Sequence, residues 1–344
     1  MGMTAPYKAA IIGCGHRAAA HIEAYYHIPE ASVVACCAPS PLRREPLAAE
    51  YGLCAYADVA EMIERERPDI VHFITRPDVR VHIMSLVAEF GVPLCTVEKP
   101  VAAGVGDWLE LQRLEARSRT KFAICHQFRW HPGLMRCQDA VRGGCLGEVA
   151  LLDISSGMNI AGQGTHSLNY GRSLVGDPRV RSVFGQWSGW DKEDSFQAAP
   201  SSTFALLEFE NGIRGIWTSG PVSPRVGDPS TNWQHVRVAA HAKNGRVNYE
   251  EFGRWEIVSA SGTETGDYGN MGAWASKNLE AQAGFYRAMF RWLEDDSSAP
   301  GTNLAVSLHE WAVVLALYQS CLERCPIDMD GFRPHEDLLE HIKR

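Results

Sequence analysis

Near its N-terminus the chain reads Lys8-Ala9-Ala10-Ile11-Ile12-Gly13-Cys14-Gly15-His16-Arg17-Ala18, an apolar run followed by a glycine-rich turn. The apolar run predicts a buried strand, and residues 18–26 predict the helix that follows it. Gly13 permits a tight turn, Gly15 lets a backbone approach a pyrophosphate closely, and Ala18 lets the helix pack against the strand. Because free N–H groups at a helix start attract phosphate, this turn is a candidate dinucleotide cradle.

The next hundred residues alternate short apolar runs with helical patterns, joined by short links that contain Gly or Pro. Strands are predicted at 32–38, 69–74, 93–97 and 121–125, and helices at 42–51, 59–67 and 79–90. Alternation of this kind predicts an α/β fold with a doubly wound parallel sheet. Ligands of such sheets bind at the carboxyl ends of the strands, where Thr75, Arg76 and Glu98-Lys99-Pro100 stand.

The end of the second strand indicates which dinucleotide the turn prefers. An NAD site usually places an acid about twenty residues past the glycines, where it binds the ribose 2′-hydroxyl. Here the chain reads Ala38-Pro39-Ser40-Pro41-Leu42-Arg43-Arg44, and the first carboxylate is Glu45. Because guanidinium groups bind phosphate through paired charged hydrogen bonds, Ser40, Arg43 and Arg44 favour the 2′-phosphate of NADP over NAD. The alternative is that both arginines lie on a solvated helix start.

The composition indicates large buried cores and no general affinity for polyanions. The chain has 344 residues, of which 45% are hydrophobic and 22% are charged, and its length predicts two domains. Its 33 basic and 41 acidic residues give a net charge of −8, which predicts neither a nucleic-acid nor a membrane partner. The first apolar run is already the first strand, so we expect no signal peptide, and no run predicts a membrane span.

The ten cysteines are scattered along the chain without a Cys-x-x-Cys motif. Half of them fall in or beside predicted core strands, where cysteine behaves as a small hydrophobic residue. They are Cys14, Cys36, Cys37, Cys95 and Cys125. This usage predicts a reducing, cytoplasmic location and no metal site. Cys321 and Cys325 share one face of a late helix, where packing is a better interpretation than metal binding or a disulfide pair.

Beyond residue 125 the pattern changes to longer strands joined by hairpin turns. Strands are predicted on either side of Asn211-Gly212 and of Asn244-Gly245. Asn-Gly between such runs is the strongest short-range hairpin signal. Further helices are predicted at 134–142, 278–294 and 306–324. We therefore expect a dinucleotide-binding Rossmann domain over 1–127 and a second domain over 128–344.

An ordered set of motifs resembles the glucose-fructose oxidoreductase, inositol dehydrogenase and rhizopine catabolism (Gfo/Idh/MocA) oxidoreductases over nearly the whole chain. The motifs are, in chain order, Gly13-x-Gly15-x-x-Ala18, Glu98-Lys99-Pro100, Leu146-Gly147-Glu148, Gln163-Gly164-Thr165-His166 and Ala316-Leu317-Tyr318-Gln319-Ser320. The resemblance implies that the second domain is a substrate-binding and oligomerisation α+β domain. Its sheet is expected to be large, open and mostly antiparallel, with helices on one face and a free face that supports a homodimer or homotetramer.

The resemblance also implies hydride transfer between nicotinamide and a secondary alcohol of a sugar, sugar derivative or cyclitol. His166 matches the family's active-site histidine, and imidazole titrates near the working pH of a proton acceptor. Lys99 would orient the substrate oxygen and stabilise the developing alkoxide, and Glu98 would position the lysine or the cofactor. The residues expected to contact NADP or NAD are Gly13, Gly15, His16, Arg17, Ala18, Ser40, Arg43, Arg44, Thr75, Pro77, Glu98, Lys99 and Gln127. The residues expected to contact the substrate are Lys99, Arg129, His166, Asn169 and Tyr170.

The chain departs from the family pattern beside His166. The family commonly has Asp four residues before the histidine and an acid three residues after it, and here these positions hold Gly162 and Asn169. His166 is therefore a weaker base, a residue that borrows a carboxylate from elsewhere, or a substrate ligand without catalytic function. The acids Asp191, Glu193 and Asp194 are candidates for that carboxylate, although solvated loop charges are the better interpretation. Tyr170 has an alternative role on the helix surface.

Three functions remain open on the sequence alone. The first is an NAD(P)-dependent dehydrogenase of a sugar, sugar derivative or cyclitol. The second is an NAD-dependent glycosidase-type enzyme that oxidises a sugar ring transiently, cleaves a glycosidic bond and reduces the ring again. The third is a non-catalytic dinucleotide-binding regulator, which the loss of both acids favours and the presence of Lys99 and His166 opposes.

Overall fold

The computed structural model describes residues 7–190, 199–226, 232–267 and 271–342. The strands are β1 Tyr7–Ile12, β2 Ala31–Cys37, β3 Cys54–Tyr56, β4 Ile70–Phe73, β5 Leu94–Val97, β6 Lys121–Ile124, β7 Val149–Ser156, β8 Val180–Ser188, β9 Ser202–Phe209, β10 Arg214–Ser219, β11 Val236–Ala242, β12 Gly245–Glu250, β13 Arg254–Ser259, β14 Gly262–Asp267 and β15 Ile327–Asp328. The helices are α1 Ala18–Glu23, α2 Pro41–Tyr51, α3 Val59–Glu66, α4 Arg80–Glu89, α5 Val105–Arg117, α6 Pro132–Arg142, α7 Thr165–Ser173, α8 Met271–Glu294, α9 Leu304–Glu323 and α10 Leu338–Ile342.

The first six strands form one parallel sheet in the order β3-β2-β1-β4-β5-β6. The central strands β4 and β5 are buried along their whole length, as expected of strands that are covered on both faces. Helices α2 and α4 end at Gly52 and just before Gly91, and both glycines adopt positive φ. The predicted doubly wound α/β sheet is confirmed.

The other nine strands form a mostly antiparallel sheet in the order β14-β13-β12-β11-β7-β10-β9-β8-β15. Both predicted Asn-Gly turns join antiparallel neighbours, β9 to β10 and β11 to β12. Helix α7 packs at Gly171 against Ile154, and helix α9 packs with Leu317 against Gly185. The strand register places Ile154 and Gly185 on one face, whereas Phe204 on the other face is 43% exposed. The expected open sheet with helices on one face is present.

The chain forms two compact units that interleave in sequence. The first unit contains Met1–Ala102, Asp107–Gln127 and Leu279–Ser307, and the second contains Ala103–Gly106, Phe128–Asn278 and Leu308–Arg344. The predicted second domain, 128–344, included residues 279–307. In the structure this segment packs within the first unit, because Tyr286 bonds to His21 and the Phe290 ring stacks on Tyr7. The functional division at 127/128 stays a prediction.

Helix α9 is the one helix in the described part of the chain with the length and hydropathy of a membrane span. The expectation that no run reaches this length was therefore wrong. Because 78% of its apolar window is buried inside the protein, α9 is a core helix. It also carries two buried ionisable residues, His309 and Glu310.

His309 gives this core a dependence on pH. Its Nε2 atom accepts a hydrogen bond from the backbone N–H of Val180 at 2.9 Å. Burial lowers the pKa of His309 from 6.5 to about 3, and the charges of Arg172 and Arg179 act in the same direction. Stability gained from the neutral ring is therefore complete above pH 6.5 and falls as the pH drops towards about 3.

The substitution His309→Gln removes this titration. We expect the unsubstituted protein to lose about 2 kcal/mol more of its unfolding free energy between pH 7 and pH 5 than His309→Gln loses. Urea unfolding at the two pH values measures the difference. The exposed His82 offers a matched control, since His82→Gln should keep the original pH dependence. Equal pH dependence in His309→Gln and the unsubstituted protein contradicts the prediction.

Candidate active site

Gly13 ties three strands of the parallel sheet together. Its φ is +105°, and a Cβ atom at this position would lie 2.3 Å from the carbonyl oxygen of Ile74, just after β4. Its N–H donates to the carbonyl of Cys37, at the end of β2, at 2.9 Å. The turn after β1 therefore requires glycine both for its dihedral angles and for the close approach of the neighbouring backbone.

Gly15 differs from Gly13 because a Cβ atom there would meet nothing within 4 Å. Helix α1 begins three residues later at Ala18, which is fully buried, while His16 is exposed. The helix runs to Glu23 and continues as a 3₁₀ turn over Ala24–His27. Open space beside a glycine that precedes a helix start is the shape that a pyrophosphate needs, so the turn fits a dinucleotide.

The end of β5 places Glu98 in a buried hydrogen-bond network. The Nε2 atom of His21 donates to Glu98 Oε1 at 2.9 Å, and the hydroxyl of Tyr286 donates to His21 Nδ1 at 2.5 Å. The guanidinium of Arg17 lies 3.8 Å from the same carboxylate oxygen. Burial alone would raise the pKa of Glu98, but the bond from His21 and the charges of Arg17 and Lys99 lower it to about 2. Glu98 is therefore ionised beside Lys99.

His21, Glu98 and Cys125 have ligand atoms within 4.8 Å of one another, as a metal site would. The chemistry of the cluster opposes a metal. Both ring nitrogens of His21 already make hydrogen bonds, and burial raises the pKa of the Cys125 thiol, which keeps it protonated. The cations Arg17 and Lys99 also act on Glu98. These features favour a hydrogen-bonded network over a metal site.

The two arginines after β2 differ in their contacts. Arg44 donates from Nη1 to the carbonyls of Ala38 and Pro39, at 3.2 and 2.8 Å, and so holds the loop between β2 and α2. Arg43 is exposed in the first turn of α2. Ser40 is the N-cap residue of this helix but makes no side-chain capping bond. Of the two guanidinium groups, Arg43 is the one that faces solvent.

The remaining predicted cofactor residues lie at the same carboxyl edge of the sheet. The Thr75 side chain lies beside Gly13, where it would contact a Cβ atom at 2.8 Å. Pro77 is buried at the start of the 3₁₀ turn that precedes α4. Arg80, a fully buried residue that the sequence reasoning missed, donates from Nη2 to the Thr75 carbonyl at 3.2 Å. Gln127 is buried near Cys125.

In the second unit, His166 follows an irregular turn. Residues Ile160–Gly164 form a π-helical turn, and the Asn159 side chain accepts a bond from the Gly162 N–H at 2.8 Å. Such turns are frequent at functional sites. His166 lies in the first turn of α7, and its Nδ1 atom is 3.1 Å from the hydroxyl of Tyr170. Tyr170 is fully buried, so it is not a helix-surface residue.

Asn169 and Arg129 meet in a buried network that includes two acids that the motifs did not single out. Asn169 Nδ2 donates to Glu310 Oε1 at 2.9 Å, and Arg129 Nη1 donates to Asn169 Oδ1 at 3.4 Å. Arg129 also pairs with Asp177, at 2.8 Å from Nη1 to Oδ1. The sequence signal for Glu310 was its position as the single acid in the apolar run from 304 to 322. The earlier candidates Asp191, Glu193 and Asp194 lie outside the described residues.

The parallel sheet and its glycine turn make the first unit a Rossmann fold of the kind that binds NAD. Residues 7–126 match the Gfo/Idh/MocA model, described as the oxidoreductase family with an NAD-binding Rossmann fold, which bears out the resemblance over this part of the chain. A D-apiose dehydrogenase of Paraburkholderia graminis is 25% identical and matches 94% of this chain and 90% of its own.

Two solved structures share the fold of the whole chain. One is an oxidoreductase from Agrobacterium radiobacter in complex with NAD+, L-tartaric acid and magnesium, with a TM-score of 0.78 and 20% identity. The other is a putative myo-inositol dehydrogenase from Sinorhizobium meliloti, with a TM-score of 0.74 and 20% identity. Each match covers 94% of this chain and 99% of the other.

Gly13→Ala and Gly15→Ala should separate the structural glycine from the glycine of the cradle. We expect Gly13→Ala to destabilise the protein by more than about 2 kcal/mol, because it combines strained dihedral angles with a backbone clash. Gly15→Ala should leave the thermal unfolding temperature nearly unchanged but weaken dinucleotide binding at least tenfold, because the added methyl fills the cradle. Calorimetry measures unfolding and binding. Unchanged dinucleotide affinity in Gly15→Ala contradicts the assignment.

Proposed function

We propose that the protein is an NAD(P)-dependent dehydrogenase of a secondary alcohol on a sugar, sugar derivative or cyclitol. The observation that carries this proposal is in the first unit. There the glycine turn and the ionised Glu98, bonded to His21, stand at one carboxyl edge of the parallel sheet, next to Lys99. This edge is where doubly wound sheets bind their ligands.

Oxidation of a secondary alcohol removes a hydride from carbon and a proton from oxygen. Bound NAD(P) supplies the hydride acceptor. The Lys99 ammonium orients the substrate oxygen and stabilises the negative charge that develops on it. His166 Nε2 accepts the hydroxyl proton, while Nδ1 faces the Tyr170 hydroxyl, which holds the ring in place. Arg129 donates a hydrogen bond to Asn169. In this proposal both side chains contact the substrate through the polar atoms of that bonded pair.

The relatives support a polyhydroxylated substrate. D-apiose dehydrogenase and the putative myo-inositol dehydrogenase are named for a sugar and a cyclitol. Such molecules present several secondary hydroxyls, of which the site must select one. The transient-oxidation alternative requires NAD that stays bound through the catalytic cycle, so dinucleotide that survives purification would favour it.

Two wider features fit this proposal. The free face of the nine-stranded sheet exposes Phe204 and Leu206, which supports the expected homodimer or homotetramer. All ten cysteines are free thiols, which supports a reducing, cytoplasmic compartment.

The substitution Lys99→Ala tests the reaction itself. We expect it to lower kcat/KM at least a hundredfold on whichever sugar or cyclitol the unsubstituted protein oxidises, because the alkoxide loses the cation proposed to stabilise it. Dinucleotide affinity should change less than threefold. The exposed Lys243 provides the control, since Lys243→Ala removes the same charge from a surface position. Full activity in Lys99→Ala refutes the proposed role, and turnover is followed by absorbance of the reduced nicotinamide.

Arg43→Ala and Arg44→Ala test the preference for NADP over NAD. Because Arg43 faces solvent beside Ser40, we expect Arg43→Ala to weaken NADP binding about ten- to a hundredfold and NAD binding little. Arg44 holds the carbonyls of Ala38 and Pro39, so Arg44→Ala should weaken both dinucleotides equally. Titration calorimetry measures the four affinities. Equal losses of NADP and NAD in Arg43→Ala remove the argument for a 2′-phosphate site.

A further inference from the structure

Glu310 is a carboxylate in the apolar core of the second unit. It is fully buried on α9, and its neighbours along that helix are almost all apolar. Its Oε1 atom accepts two hydrogen bonds from α7, one from Asn169 Nδ2 at 2.9 Å and one from Arg172 Nη1 at 2.5 Å. A buried charge is retained only where such partners compensate its desolvation. The carboxylate is therefore bonded specifically to the helix that carries His166.

Asn169 connects this carboxylate to the face of α7 that carries His166. The two residues are three apart in the helix, a spacing that brings side chains within about 5–6 Å at Cβ. The amide of Asn169 is held in one orientation, because its nitrogen donates to Glu310 and its oxygen accepts from Arg129. Glu310 thus accepts a hydrogen bond from Asn169, which lies one helical turn from His166.

The charged groups around α7 form ion pairs, and Arg172 pairs with Glu310 itself, whose charge it partly offsets. Arg129 pairs with Asp177, and Arg172 donates to the carbonyls of Asp177 and Pro178 as well as to Glu310. His309, the neighbour of Glu310, accepts a bond from Val180, and burial lowers its pKa to about 3, which keeps it neutral.

In the described part of the chain, β7, β11 and the turn before α7 present no ionisable side chain to this helix. In β7 and β11, the pair of Asp153 with Arg237 lies on the face of the sheet opposite to Ile154, which packs against α7. The π-helical turn before α7 carries no ionisable side chain. On α7 itself, the Tyr170 hydroxyl lies 3.1 Å from His166 Nδ1. Glu310 is thus a carboxylate bonded directly to Asn169, three residues along α7 from His166.

We propose that Glu310 is a positioning residue that supplies, through Asn169, the negative charge that Gly162 and Asn169 themselves lack beside His166. The inference rests on the proposed function for its catalytic meaning. When His166 accepts the hydroxyl proton it becomes an imidazolium, and an ionised carboxylate nearby stabilises that form. Glu310 makes no contact with the reacting atoms in this role. It raises the pKa of the histidine and fixes the rotamer of Asn169.

Ionisation of Glu310 is itself finely balanced. Burial raises the pKa of Glu310 to about 7, against the opposing effects of the Arg172 charge and of the bonds from Asn169 and Arg172. Two interacting groups that titrate in the same range share their titration curves. Protonation of His166 and of Glu310 should therefore be linked. The titration curve of each residue should contain a step at the pH where the other residue titrates.

The test measures the pKa of His166 by NMR in the absence of substrate and cofactor. The full chain is labelled with ¹³C-histidine, its NMR spectrum is followed from pH 5.5 to 9.5, and His166 is assigned by the signal lost in His166→Asn. We expect Glu310→Gln to lower the pKa of His166 by about 1 pH unit. The double variant Asn169→Asp with Glu310→Gln moves the carboxylate to α7 and should restore the original value. A structural role alone predicts no such rescue.

The control lies on the same helix. Glu323 is thirteen residues further along α9, about 20 Å away, and Glu323→Gln should leave the pKa of His166 unchanged. An unchanged pKa in folded Glu310→Gln overturns the proposal. If Glu310→Gln does not fold, ¹³C-glutamate labelling of the unsubstituted protein decides, because Glu310 and His166 must then show linked titration curves and independent curves overturn the proposal. Absence of dehydrogenase activity in every assay would sink the proposed function and leave this result standing.

Discussion

The contact between Gly13 and the backbone after β4 is the constraint on which the first unit depends. No side chain fits between this glycine and the carbonyl of Ile74, so the ends of β1 and β4 meet directly. The bond from Gly13 N–H to Cys37 adds the end of β2 to the same junction. Because three strand ends converge there, the glycine turn, the Thr75 loop and the loop that Arg44 holds are brought to one edge.

Each unit also contains a carboxylate that fastens a helix to its surroundings, half-buried in the first unit and fully buried in the second. In the first unit Glu98 binds His21 of α1, which in turn binds Tyr286 of α8. In the second unit Glu310 of α9 binds Asn169 and Arg172 of α7. Removing one partner of such a network leaves an uncompensated charge, which costs more than a lost apolar contact of the same size. The residues nearest to Lys99 and His166 are therefore held by directional bonds as well as by packing.

The sequence predicted the elements and the two sheets well because local patterns determine them. Alternating apolar runs gave the parallel sheet, and Asn-Gly turns gave the hairpins of the second sheet. The position of α8 was not predictable in this way, because an amphipathic helix shows which of its faces is buried but not against which unit. Tyr286 illustrates the limit, since its partner His21 lies 265 residues earlier in the chain.

The candidate site likewise contains residues that the sequence predicts and contacts that only the fold shows. Gly13 and Lys99 could be proposed from the sequence because each stands in a short motif, and the contrasting contacts of Arg43 and Arg44 required coordinates. Glu310 was visible as an acid in an apolar helix, yet only the fold joins it to Asn169.

Loss of the acids at 162 and 169 does not by itself make His166 a poor base. A carboxylate at position 169 would act on His166 from the same helix. The carboxylate at position 310 acts on His166 through space and through the amide of Asn169. The change of about 1 pH unit expected in the pKa of His166 corresponds to about 1.4 kcal/mol of attraction between imidazolium and carboxylate. A carboxylate displaced to a neighbouring helix therefore retains much of the electrostatic effect of one on α7, provided that burial keeps water from screening it.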